Sequence, residues 1–97
     1  MAIADLDLLL QKKPTDPALL LRLGMAHVGN KNTARAIEIF DRLLATRPSG
    51  AAYYGRAMAH VVANQKDAGL RDLDQAIALE PGNAAYKNVR AQIAAQK

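Results

Sequence analysis

Residues 20–48 read LLRLGMAHVGNKNTARAIEIFDRLLATRP, and this stretch decides the fold. Leu20, Leu23, Gly24 and His27 fall at i, i+3, i+4 and i+7, the spacing that gathers side chains on one face of a helix. Gly29-Asn30-Lys31-Asn32 reads as a turn, with Asn32 placed to cap the second helix. Ala36, Ile37, Phe40, Leu43 and Leu44 then form a second helical stripe. Pro48 closes it, because proline cannot continue a helix and turns the preceding residue away from helical geometry. The stretch therefore predicts two amphipathic helices folded into a hairpin.

The same pattern recurs on both sides. Pro14, Pro48 and Pro81 each follow an apolar run, at separations of 34 and 33 residues. That offset links Ala2 to Ala36 to Gly69, Leu6 to Phe40 to Leu73, Leu20 to Tyr53 to Tyr86, and His27 to His60. Asp16-Pro17 supplies an N-cap followed by a proline at the first helical position, where its missing N–H costs nothing. The periodicity predicts six helices near 2–13, 17–29, 33–46, 50–63, 67–79 and 83–96, and no strand. Small residues at Gly24, Ala36, Ala57 and Gly69 allow paired helices to approach closely, and Phe40 and Leu73 fill the seam.

These residues resemble the tetratricopeptide repeat, W-x2-L-G-x2-Y then A-x3-F then P over about 34 residues. One repeat reads Leu20-x2-Leu23-Gly24-x2-His27, Ala36-x3-Phe40, Pro48, and the next reads Tyr53-x2-Arg56-Ala57-x2-His60, Gly69-x3-Leu73, Pro81. The start, Ala2-x3-Leu6 and Pro14, resembles the second helix of an earlier repeat, and Tyr86-x2-Val89-Arg90-x2-Ile93 the first helix of a later one. The resemblance spans essentially the whole chain. It implies an all-α solenoid of antiparallel hairpins in one repeat domain over 1–97, with a half repeat at 1–16, repeats at 17–49 and 50–82, and a capping helix at 83–97. Three residues depart from the pattern: Gly69 for Ala, Arg56 for Leu, and Arg90 for a small residue. Arg90 implies that no further helix packs on its position, as expected of a cap with a polar outer face.

In proteins similar to this one, first helices line a concave groove that holds a peptide. Leu21, Met25 and Val28 make a second apolar flank on one first helix, and Tyr54, Met58 and Val61 repeat it on the next. Methionine suits such a surface because it is flexible and polarizable. Lys87 and Asn88 offer a polar contact at the groove's end. The family's carboxylate-gripping set of Lys, Asn and Arg is replaced by Leu21, Met25 and Gly55, so that clamp is not expected. The resulting expectation is a non-catalytic scaffold or adaptor that binds a peptide or amphipathic helix. The alternative is self-assembly through the N-terminal half repeat, where Ile3, Leu6, Leu8 and Leu10 lack a covering helix.

Other functions find little raw material. Catalysis is not expected: Ser49 is the single serine, set between Pro48 and Gly50 in a predicted loop without a nucleophile-elbow motif, and no phosphate-binding loop is present. No cofactor is expected. Cysteine is absent, which excludes disulfides and thiolate metal sites. His27 and His60 lie one repeat apart, too far for one zinc, and read as replacements for the family's ring residue. Asp67, Asp72 and Asp74, beside Lys66 and Arg71, read as a solvated, salt-bridged face. The net charge of +4 is ordinary for a small domain, and scattered Arg35, Arg42 and Arg71 with few aromatics argue against nucleic acid as partner. No run reaches the ~18 apolar residues of a membrane span, and the acidic, amphipathic N-terminus does not read as a signal peptide.

Overall fold

A computed structural model describes residues 16–96. Among them it has five helices and no strand: α1 Pro17–Gly29, α2 Thr33–Thr46, α3 Gly50–Val62, α4 Lys66–Leu79 and α5 Ala84–Ala95. The bounds agree with the periodicity to within one residue at each end. The expected helix at 2–13 lies outside the described residues, and so does the proposed half-repeat interface.

Local chemistry explains the boundaries. Asp16 caps α1 by accepting hydrogen bonds from the Ala18 and Leu19 N–H groups at 3.0 and 3.4 Å. Asn83 caps α5 in the same way, from Ala85 and Tyr86. Asn32 does occupy the N-cap of α2, but its side chain makes no capping bond. Ser49 is not a free loop residue: its Oγ accepts from the Ala52 N–H at 3.1 Å and caps α3.

Both hairpin turns use one geometry. Lys31 and Asn64 have positive φ of 62° and 64°, in the left-handed region. In the first turn the Asn32 N–H donates to the His27 carbonyl and the Lys31 N–H to the Val28 carbonyl. In the second, Gln65 donates to His60 and Asn64 to Val61. These paired closures satisfy carbonyls that the end of the helix would leave bare.

α1 packs on α2 and α4 on α3, while α2 and α3 join the two hairpins. Phe40 is the hinge of that junction. It is fully buried, and a Cβ added at Gly24 would sit 2.6 Å from the tip of its ring. A Cβ at Gly55 would overlap the other side of the same ring. One α2 ring is thus wedged between a glycine of α1 and a glycine of α3. In the second hairpin Gly69 lies against the Ala57 carbonyl and Val61, so the backbones of α3 and α4 close directly on each other. Leu73 with Ala57 and Ile93 forms the core between α3, α4 and α5.

Candidate partner-binding face

The expected binding residues lie on the first helices α1, α3 and α5, at matched heights set by the repeat. Met25 is the most open of the apolar ones, 37% exposed. Leu21 and Val28 are half-buried and lean on the α1–α2 core. Tyr54, Met58 and Val61 are half-buried against the core of the second hairpin. Val61 also faces Gly69, so part of its side chain serves the α3–α4 contact. Lys87 and Asn88 are exposed on α5. Val62, 45% exposed, extends the apolar surface at the end of α3.

Tyr54 is held in place by a neighbour. Its ring stacks on Tyr86 of α5 with centroids 5.3 Å apart and planes 26° apart. The Tyr86 hydroxyl donates to Glu80 Oε2 at 2.9 Å, and that carboxylate lies against Gly50 in the first turn of α3. A carboxylate there is favoured by the positive end of the helix dipole. Burial, reinforced by the Glu80 hydrogen bond, pushes the Tyr86 phenol up to about 12. The end of one repeat is thereby tied to the beginning of the preceding first helix, and the aromatic pair is fixed.

A polar network that the sequence pattern did not reveal lies behind this face. Arg56 on α3 makes a two-point bond to Asp72 on α4, at 2.9 Å from Nε and 2.8 Å from Nη2. Its Nη1 donates to Asp41 on α2 at 2.8 Å. The guanidinium also lies over the Tyr53 ring, 5.6 Å from its centroid. The Asp72 and Asp41 bonds outweigh desolvation, so the Arg56 pKa is raised above its ordinary value. One arginine therefore joins three helices. Asp72 is buried, which corrects its reading as part of a solvated face: a carboxylate can leave water here because Arg56 meets it through both oxygens. Asp74, by contrast, is exposed and pairs with Arg90 of α5. Lys66 belongs to neither pair and donates to the Ala94 and Gln96 carbonyls, closing the end of α5.

The two histidines diverge. His60 places Nδ1 2.7 Å from Gln65 Oε1, and Nε2 3.5 Å from Asp72. His27 is buried, and neither of its ring nitrogens has a hydrogen-bond partner among the described residues. One repeat before Asp72 and Gln65 stand Ile39 and Asn32, which removes the partners while keeping the ring's place. Among the described residues no group of three or more His, Asp or Glu could hold a metal ion. No described helix is long and apolar enough to cross a membrane.

A register comparison could have found the network. Arg56 and Asp72 replace Leu23 and Ile39, two core positions at once, with opposite charges. Two family models, both described as tetratricopeptide repeat, match the chain over residues 2–61 and 54–97. No curated protein matches it.

Proposed function

The chain belongs to the tetratricopeptide repeat family, whose members generally mediate protein–protein interaction, and from that premise we propose that its first helices form an apolar groove for a peptide or an amphipathic helix. The observation that carries this reading is the recurrence of Met25 and Met58 at one position of successive first helices, with Met25 left open to solvent. Tyr54, braced by Tyr86, adds a rigid aromatic edge beside them. Binding anchors are enriched in such aromatic side chains, and methionine adapts to varied apolar surfaces. Leu21, Val28 and Val61 line the same groove but divide their area between partner and core. Lys87 and Asn88 bound it on α5. The role is non-catalytic, and 1–97 acts as one repeat domain.

Photo-crosslinking tests the reading. A photoreactive side chain at position 25 or 58 should capture protein from extracts of the native cell, while one at exposed Arg42 on α2 should not. Equal capture from all three positions would overturn it.

A further inference from the structure

Carboxylates, though not cations, are divided between the two sets of helices: α2 and α4 also carry Arg35, Arg42, Lys66 and Arg71. Along α1, α3 and α5 there is no Asp or Glu, and the charged residues are Arg22, Arg56, Lys87 and Arg90, all cations. The carboxylates of α2 and α4 are Glu38, Asp41, Asp67, Asp72 and Asp74, and Asp16 and Glu80 stand at helix boundaries. Two of the four cations are already engaged: Arg56 with Asp41 and Asp72, and Arg90 with Asp74. Arg22 and Lys87 are exposed and make no ion pair among the described residues.

The positions of these two cations are matched to the groove. Arg22 precedes Met25 by three residues on α1, so the two share a face. Lys87 stands one repeat after Tyr54, at the height of Leu21. The apolar strip through Met25, Met58 and Tyr54 therefore ends on either side in a cation without an ion pair among the described residues, and no carboxylate of α1, α3 or α5 offsets either. Two steps between neighbouring helix axes separate α1 from α5, roughly 20 Å. A bound helix covers that distance in about 13 residues.

Resting on the groove reading above, we propose that the partner is an amphipathic protein segment with carboxylates at both ends of its apolar stretch, one to meet Arg22 and one to meet Lys87. A segment with basic ends meets two like charges and finds no compensating acid. Rim charges of this kind select between partners more than they add to affinity. Phosphates would also satisfy the two cations, but a nucleic acid needs stacking platforms between them. The groove offers Met25 and Met58 there, and its Tyr54 ring is already stacked on Tyr86.

Two synthetic helical peptides test this on the full chain by fluorescence anisotropy. They share one leucine face and differ only in their ends, Glu in one and Lys in the other. Each exposed ion pair is typically a factor of about five at most, so attraction at one peptide and repulsion at the other should separate them about tenfold at low salt. The gap should narrow at high salt, because exposed charges are screened. It should reverse in an Arg22→Glu/Lys87→Glu variant, whose two exposed substitutions leave the helical circular-dichroism signal intact. Equal affinity of the two peptides for the unaltered chain would overturn the proposal. If Met25→Ala/Met58→Ala then still weakens both peptides, the groove stands and only the charge selection falls. If neither peptide binds, or the methionine variant binds both normally, the groove reading falls with it. Displacement of the Glu-ended peptide by single-stranded DNA would replace it with a nucleic-acid ligand.

Discussion

The two hairpins share a backbone plan and differ in what fills it. At matched positions the first has Leu23, Ile39 and a His27 without a hydrogen-bond partner among the described residues, and the second has Arg56, Asp72 and a hydrogen-bonded His60. Leu23 and Ile39 are fully buried, and Asp72 nearly so. The same helix–helix contact is thus made once by apolar packing and once by a two-point ion pair. These positions are therefore specified as pairs. Arginine alone in the second hairpin would keep only exposed Asp41 as counterion, and aspartate alone would be a buried carboxylate without its two-point partner.

The largest effect should come from breaking that pair. Asp72→Ala should destabilise the chain by about 3 kcal/mol, because it removes two charge-assisted hydrogen bonds and leaves the half-buried guanidinium with Asp41 alone. Arg56→Leu/Asp72→Ile, which copies the first hairpin into the second, should recover to within about 1 kcal/mol of the original or exceed it, since well-packed apolar pairs often replace buried ion pairs without loss. Denaturant midpoints measure both. A double variant as weak as the single one would show that the two hairpins do not share one set of positions.

The seam separates the hairpins next. The first uses a large ring against two glycines, and the second uses Leu73 against Ala57. Gly24→Ala should cost roughly 1–3 kcal/mol by overpacking Phe40. Adding Phe40→Leu should cost less than the sum of the two single changes, because the added methyl then has room. Strict additivity would mean that Gly24 and Phe40 are not coupled.

The turns differ by one side chain. Lys31 carries the left-handed conformation at a steric cost, whereas Asn64 tolerates it better. Lys31→Gly should raise stability by about 1 kcal/mol, and Asn64→Gly by less. Ser49→Ala should lower it by about 1 kcal/mol through loss of the α3 cap. Calorimetric melting would resolve this ranking, and an unchanged or lower midpoint for Lys31→Gly would contradict it.

The smallest effect belongs to the Tyr54–Tyr86 junction, which only the second hairpin has. The Tyr86 phenol is pushed from its ordinary 10.0 up to about 12, so the folded chain holds that proton longer than the unfolded one. Its contribution is fully present below pH 10 and is lost as pH rises toward 12. Melting curves from pH 9 to 11 should fall more steeply for the original chain than for Tyr86→Phe. Parallel curves would show that the hydroxyl takes no part in stability.

Legibility in the sequence divides along the same line. Helix positions, the hairpin order and the seam residues Gly24, Phe40, Gly69 and Leu73 are written in apolar period and residue size, which act within one helix or at a fixed repeat offset. The Arg56–Asp72–Asp41 network was only half legible: Arg56 stands out at a position the repeat gives to Leu, but Asp72 and Asp41 look like ordinary surface charge and the pairing spans three helices. Gly55 was missed for a related reason. Its counterpart one repeat earlier is exposed Arg22, so the repeat pattern gives no hint that Gly55 receives one face of the Phe40 ring. On the candidate face the periodicity separates Met25 from the core, but it does not show how far Tyr54 and Val61 are drawn into contacts with Tyr86 and Gly69.

The central claim is that the first-helix face holds the partner, and Met25 and Met58 test it with least disturbance to the core. The measurement is the affinity of a crosslink-identified partner for the original chain and for Met25→Ala/Met58→Ala, with helical content followed in parallel. Truncated interface anchors often cost ~2 kcal/mol, which is about thirtyfold in affinity. A groove on this face predicts a loss of that order with unchanged helical content. An affinity unchanged by the double substitution would contradict it.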